Sequence, residues 1–183
     1  MRKIFTLAAS LAATLTFAQE TTKQHQVSIN PMFSDPSQIG LQYEYKIKPD
    51  GKHAKSHIVN VAAGLMNYSV AGYDIDGTGF AIELGSRNYW GPEHKGFYGA
   101  NYLSYGNVKF DENLFIFGVV DGTYSYFSFF APEIGYKIQL GNFSIDPFIG
   151  AMWKIEIKGK GDIDNKNVDE WAVRTGVKFG YSF

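Results

Sequence analysis

The last thirteen residues of the chain, Trp171-Ala172-Val173-Arg174-Thr175-Gly176-Val177-Lys178-Phe179-Gly180-Tyr181-Ser182-Phe183, alternate without a break between two kinds of side chain. The odd positions are aromatic or β-branched, and the even positions are small or basic. Successive side chains of a β-strand point to opposite faces, so a period of two indicates a strand whose faces differ. The stretch therefore predicts a final strand with one apolar face and one face of small and charged groups.

The same alternation recurs upstream, interrupted by turn residues, and it predicts an all-β, antiparallel fold of eight strands. Two prolines lie inside predicted strands. Because proline lacks an N–H group for the ladder, we expect β-bulges at Pro132 and Pro147. The alternative is that the sixth and seventh strands are shorter than predicted. The predicted strands span 25–32, 38–48, 57–69, 78–90, 96–109, 124–140, 143–158 and 170–183.

The first eighteen residues have the pattern of a secretory signal peptide. Arg2 and Lys3 precede an apolar stretch over 4–17, and Thr16-Phe17-Ala18 resembles a small-x-small cleavage site. The stretch is shorter than the roughly 20 residues that cross a bilayer as a helix. We expect 1–18 to be removed and 19–183 to form one domain.

Composition excludes several classes of site. The chain has no cysteine, so it forms no disulfide and no thiolate metal centre. Its net charge is -1 and it has no basic stripe, which argues against a nucleic-acid partner.

Charged residues recur on the polar face of the predicted strands, where they lie among Gly, Ala and Ser. Buried charges need partners, so the near-balance of five acids and six bases predicts an interior ion-pair network. The expected members are Glu44, Lys46, Glu83, Arg87, Glu133, Lys137, Asp146, Lys154, Glu156, Arg174 and Lys178.

Alternation alone also fits a soluble sandwich or a lipocalin-like barrel, in which the apolar face points inward. Small residues among charges suit the narrow interior of an eight-stranded barrel. Trp90, Trp153 and Trp171 lie on the apolar face toward strand ends, as in the aromatic girdle of a membrane barrel. These features favour an eight-stranded antiparallel up-and-down transmembrane β-barrel.

In this pattern the chain resembles the small outer-membrane barrel proteins of the OmpX, OmpW and OmpA membrane-domain types. The most specific element is the ending with Phe179, Tyr181 and Phe183, which in that family looks like the signal read by the barrel-assembly machinery. The resemblance implies a Gram-negative outer membrane. It also implies contact with lipid and lipopolysaccharide, and no cofactor. It implies no single function, because such barrels include adhesins, pores, enzymes and structural proteins.

We found no catalytic constellation in the sequence. Lipid A deacylases of this shape carry a His-x-Ser-Asn stretch, which does not occur here. His53, Ser56 and His57 lie in a lysine-rich stretch that we interpret as a solvated turn. Five aspartates could loosely bind Ca²⁺ at the outer rim, but their spacing lacks the ligand order of an EF-hand, so we interpret them as parts of hydrated acidic loops. They are Asp74, Asp76, Asp162, Asp164 and Asp169. We therefore expect no enzyme, no cofactor and no metal site.

An apolar stretch with Leu114, Phe115 and Phe117 falls in a predicted extracellular loop. Phe127, Phe129 and Glu133 all occupy odd-numbered positions of one predicted strand, and we call this relation parity. Residues of one parity point to the same face, so we expect both phenylalanines to face the interior near the outer mouth. One hypothesis is an apolar pocket there for small hydrophobic molecules, resembling OmpW-type barrels. The alternative is a strand extension, or a loop that packs on its own barrel.

The sequence thus predicts an exported, integral outer-membrane β-barrel of a Gram-negative bacterium, non-enzymatic, acting structurally or through its extracellular loops. One alternative is a narrow pathway or binding pocket for small hydrophobic molecules at the outer mouth. The other is a secreted, soluble, lipocalin-like binding barrel.

Overall fold

The computed structural model describes residues 23–49, 51–70, 73–114, 118–161 and 169–183. These residues form antiparallel strands, which confirms the all-β prediction. None of the described residues belongs to a helix long and apolar enough to cross a membrane. The strands are β1 His25–Phe33, β2 Ser37–Ile47, β3 Lys55–Val70, β4 Tyr73–Tyr89, β5 Gly96–Leu114, β6 Gly118–Phe130, β7 Pro132–Leu140, β8 Phe143–Gly161 and β9 Trp171–Ser182.

The strands close into a ring of eight members. Each member pairs with the next along the chain, and β1 pairs with β9. β6 and β7 together make one member, because β5 and β8 each pair with both of them. We call the end with His25 and Ser182 the terminal end, and the opposite end the loop end.

A bulge separates β6 from β7. Ser104 of β5 pairs with Ser128, but Asn101, three residues earlier, pairs with Pro132, four residues later. The extra residue turns both Phe129 and Phe130 to the outside of the ring. The bulge predicted at Pro132 is therefore confirmed.

The bulge predicted at Pro147 is wrong. The pairs Gly135–Phe148 and Ile138–Ile145, on either side of this proline, keep one register. Pro147 itself pairs with Val177 in an unbroken ladder with β9. The missing N–H group interrupts the pairing toward β7 only, and no extra residue is needed.

Several strands run further toward the loop end than predicted. Asp74 pairs with Ser69, and Asp111 pairs with Asp121, although 74–77 and 111–122 were predicted as loops. Backbone pairing continues past the last apolar alternation because it does not depend on side-chain character. The predicted loops are therefore largely strand, with 115–117 outside the described residues.

The two faces of the sheet are reversed relative to a soluble protein. Leu41 and Val61 are 52% and 53% exposed on the outside of the ring. Arg87 and Glu44 are 0% exposed in its interior. The polar face of the alternation thus fills the interior, and the apolar face covers the outside.

Inward aromatic rings lie over glycines of the neighbouring strand. A Cβ added at Gly106 would lie 2.2 Å from the ring of its cross-strand partner Tyr126. Pairing a large with a small residue fills a narrow interior without overlap, which explains why glycines and aromatics are both abundant. The pairs are Gly77–Phe110, Gly85–Tyr102, Gly106–Tyr126, Gly135–Tyr98 and Gly176–Phe148.

We predict that Gly176→Ala destabilises the fold by about 1–3 kcal/mol, the usual cost of overpacking. The new Cβ would lie 2.3 Å from the carbonyl oxygen of Pro31 and 2.9 Å from the Phe148 ring. Gly99→Ala is the matched control, because a Cβ there meets nothing within 4 Å. Guanidinium unfolding measures both variants, and an equal loss in the two would contradict the packing argument.

Candidate functional site

The interior holds a charge core of four carboxylates and four cations. Each of the eight side chains belongs to a residue at most 2% exposed. They come from the five strands β2, β4, β7, β8 and β9, since strand alternation turns every second residue inward. The charge core consists of Glu44, Glu83, Glu133, Asp146, Arg87, Lys137, Arg174 and Lys178.

Arg87 of β4 is the centre of the charge core. Its Nη1 donates to Asp146 Oδ2 at 2.9 Å and lies 3.5 Å from Glu44 Oε2. Its Nη2 lies 3.8 Å from Glu133 Oε1. The guanidinium carbon lies 3.8 Å from the centroid of the Tyr98 ring, within the range of a cation–π contact. One guanidinium thus joins carboxylates of β2, β7 and β8.

Glu83 and Arg174 form a second centre, nearer the loop end. Nη1 and Nη2 of Arg174 donate to the two carboxylate oxygens of Glu83 at 2.6 and 3.2 Å. Glu83 also accepts hydrogen bonds from Ser104 Oγ at 2.8 Å and Asn60 Nδ2 at 2.9 Å. This bidentate geometry is the strong form of an ion pair, and it links β4 to β9 across the ring.

The two lysines of the charge core each pair with a carboxylate. Lys137 Nζ donates to Glu44 Oε2 at 2.8 Å. Lys178 Nζ donates to Glu133 and lies 3.8 Å from the centroid of the Phe148 ring. Every carboxylate of the charge core therefore has a cation within 4 Å.

Three buried tyrosines complete this network, and sequence reasoning missed their role. Tyr89 donates to Glu44 at 2.7 Å, and Tyr98 donates to Asp146 at 2.6 Å. Tyr102 donates to Glu133 at 3.3 Å. The shared parity of 98, 100 and 102 was the available signal, but aromatic residues occur on both faces of this strand.

The other predicted interior charges lie nearer the two ends of the ring. Lys46 Nζ donates to Ser182 Oγ at 2.8 Å at the terminal end. Lys154 Nζ lies 2.9 Å from Asp35 Oδ2 at the loop end. Glu156 is half-buried on β8.

The predicted girdle and terminal aromatics lie on the outside. Trp90 and Trp171 are 62% and 58% exposed, and Trp153 stacks on Trp171 with ring centroids 6.4 Å apart. At the other end of β9, Phe179 and Tyr181 are 52% and 41% exposed. Phe183 follows the strand, half-buried, with its ring stacked on His25.

The predicted interior position of Phe127 and Phe129 is wrong. Phe129 is 51% exposed on the outside and packs edge-on against Trp153. Phe127 is half-buried and pairs with the outward residues Tyr105 and Ile155. The bulge before Pro132 shifts parity by one residue, so parity with Glu133 does not extend to these positions.

The other members of that hypothesis lie at the end of β5 or outside the described residues. Leu114 ends β5 and pairs with Gly118, while Phe115 and Phe117 lie outside the described residues. Different apolar side chains fill the interior at the loop end, each at most 3% exposed: Met32, Met66, Phe110, Tyr124 and Met152.

The histidine-containing stretch near the terminal end does not assemble a catalytic group. Ser56 lies inside the ring, where its Oγ donates to Glu44 at 2.7 Å. His57, the next residue of β3, is exposed on the opposite face. Over the part of the chain that the structure describes, no three His, Asp or Glu residues group as metal ligands would.

Comparisons with protein-family models, with curated proteins and with solved structures each find no match for this chain. Its function is therefore inferred from the chemistry of the two faces and of the charge core.

We predict that Glu83→Ala destabilises the protein by about 3–5 kcal/mol, because it leaves the buried Arg174 guanidinium without its carboxylate. Adding Arg174→Met should recover most of that loss. Glu93→Ala is the control, since its pair with Lys95 is exposed and such pairs contribute at most about 1 kcal/mol. Guanidinium unfolding measures all three variants. A double variant that loses the sum of both single losses would refute the pairing.

Proposed function

We propose that this protein is an integral outer-membrane β-barrel of a Gram-negative bacterium, exported with a signal peptide at 1–18. It is non-enzymatic, and it acts structurally or through the segments at its loop end. The observation that carries this proposal is the reversed distribution of apolar and charged residues between the two faces of the ring.

The apolar exterior is far larger than the apolar surface that soluble monomers expose to water. Among the described residues, thirty large apolar side chains are exposed, including Leu41, Val61 and Ile82 in one row across three strands. Contiguous apolar patches on soluble monomers rarely exceed a few hundred Å². Exposing this surface to water costs free energy. In a lipid bilayer the surface meets hydrocarbon instead, so that cost is removed.

The height of the apolar exterior fits a bilayer. On β9, Trp171 and Tyr181 are separated by ten residues (181 minus 171). At roughly 3.3 Å per residue and a tilt of about 40°, they lie about 25 Å apart along the axis, the height of an outer-membrane apolar band. Other aromatics extend both levels, with Trp153 near Trp171 and Phe143 beside Tyr181.

The closed ring also satisfies the main requirement for a sheet in hydrocarbon, which is that its backbone polar groups are paired. Backbone N–H and C=O groups find no water there, so a spanning sheet must pair all of its strands. The pairing of β1 with β9 closes the ring and gives every member two neighbours.

The two alternatives gain less support. A soluble lipocalin-like barrel needs its apolar face inward, whereas the interior here holds Arg87 and the other members of the charge core. The pathway for small hydrophobic molecules loses Phe127 and Phe129, the two residues that were to line it.

We predict that Leu41→Arg, near mid-height on the outside, destabilises the protein in lipid by about 2–4 kcal/mol. Leu140→Arg, at the terminal end of β7, should cost only about 0–1 kcal/mol, because the side chain reaches the interface. Urea unfolding of the protein folded into lipid vesicles measures both variants. If the protein is soluble, Leu41→Arg removes exposed apolar surface and should instead improve its recovery without detergent.

A second prediction concerns location. The mature chain, beginning near Gln19, should be recovered in the outer-membrane fraction. It should also migrate differently on a detergent gel before and after boiling, because a closed ring resists detergent. A soluble periplasmic or secreted protein with no shift would refute the proposal.

A further inference from the structure

The terminal end of the ring carries a concave cavity of about 730 Å³. It lies between the end of β2, the end of β9 and the connections that follow β4 and β7. We call it the terminal bowl, and its lining includes Lys23, Lys46, Lys48, Pro92, Lys95 and Ser182.

The terminal bowl is strongly cationic. Four lysines line it, and Glu93 is the one carboxylate side chain among its described lining residues. Glu93 pairs with Lys95, which leaves three lysines in excess. His94 adds no charge near neutral pH, because burial lowers the pKa of its ring.

Lys46 forms the polar floor of the terminal bowl. The residue is 7% exposed, and its Nζ donates one hydrogen bond, to Ser182 Oγ at 2.8 Å. The core lysines Lys137 and Lys178 each pair with a carboxylate, but among the described residues none lies within 4 Å of Lys46 Nζ. An ammonium group this deeply placed, with protons that donate to no other described residue, favours an anionic partner.

The wall of the terminal bowl is apolar. Ile47, Pro49 and Pro92 supply carbon beside the ammonium groups. Ile47 continues the outward row of β2 that includes Tyr43 and Tyr45, so the bowl meets the apolar exterior at its rim. A ligand that fits both surfaces has an anionic head and a hydrocarbon tail.

We propose that the terminal bowl binds the phosphate headgroup of an anionic phospholipid, with the phosphate on Lys46 and the acyl chains along the outside of β2. The inference rests on the proposed function: with the loop end extracellular, the terminal end lies at the headgroups of the periplasmic leaflet. Trp90 and Phe97, stacked at this end, mark the same interface.

The test measures binding to the full mature chain in a non-ionic detergent by calorimetry. The probes are dihexanoyl-phosphatidylglycerol, dihexanoyl-phosphatidylcholine and inorganic phosphate. We expect phosphatidylglycerol to bind at least tenfold more tightly than phosphatidylcholine, which has the same chains and no net charge. Phosphate alone should bind much more weakly, because it lacks the acyl chains.

Variants locate the site. Lys46→Gln keeps a donor for Ser182 and should weaken phosphatidylglycerol binding at least tenfold, whereas Lys46→Arg should retain it. Lys52→Gln is the matched control, because Lys52 is exposed and does not line the bowl. It should change the affinity less than twofold. If Lys46→Gln fails to fold, the double variant Lys23→Gln/Lys48→Gln takes its place, with an expected loss of at least fivefold.

Three outcomes would overturn the inference: equal affinity for the two lipids, unchanged affinity in the bowl variants, or phosphate binding as tight as phosphatidylglycerol. The last outcome would indicate a free-phosphate site. Recovery of the protein without detergent would instead refute the proposed function. An outer-membrane protein without lipid preference would refute only the site.

Discussion

The buried guanidinium of Arg87 holds together carboxylates from three other strands, and the rest of the interior depends on this arrangement. Asp146, Glu44 and Glu133 lie within 4 Å of it. Three negative charges around one cation would repel one another, so Lys137 and Lys178 are needed to balance them. Tyr89 and Tyr98 then donate to Glu44 Oε1 and Asp146 Oδ1, the carboxylate oxygens that the cations leave available. Tyr102 instead donates to Glu133 Oε1, the oxygen that Lys178 also contacts. Removing any one member leaves the others with uncompensated charge, which is why the network must be complete.

A closed ring of eight strands leaves room for little more than one layer of side chains, and this limits how the charge core can be built. Long cationic side chains and tyrosine rings can reach its centre only if neighbouring positions are small. Tyr98 illustrates this, because its ring lies both under the Arg87 guanidinium and over Gly135. The glycines on the polar face therefore belong to the same arrangement as the charges, and closure of the ring at Gly176 depends on the same fit.

The sequence was sufficient to assign the inward and outward faces of a strand wherever one face was uniformly apolar. The strand with Trp171 and Phe183, and those with Glu44 and Lys154, could be assigned by parity, and their inward charges lie where parity puts them. Parity failed at Phe129, because it assumes that no extra residue is inserted in the strand. A bulge inserts one, and the alternation of side chains does not reveal where.

Parity also could not assign the inward face of the fifth strand, because aromatic residues occur on both of its faces. The inward rings of Tyr98 and Tyr102 can be distinguished from outward ones only by the glycines across from them, Gly135 and Gly85. That pairing depends on strand register, which a single sequence does not reveal. Loop lengths were misjudged for a related reason: strands continue through polar residues such as Asp111 once their partners are in register.

The position of the charges also bears on where such a protein can act. To pass a solute through the charge core, pairs such as Glu83 with Arg174 would have to separate, and leaving one buried charge unpaired costs about 3–5 kcal/mol. The buried rings of Tyr102 and Phe148 contact the cations of the core and occupy the interior beside them. The two ends of the ring differ in how their lysine charges are neutralised. Lys154 pairs with Asp35 at the loop end, whereas Lys46 at the terminal end contacts, among the described residues, a hydroxyl and no carboxylate. Under the proposed function, the charge-balanced core and the cationic terminal end favour action at the ends of the ring over conduction through it.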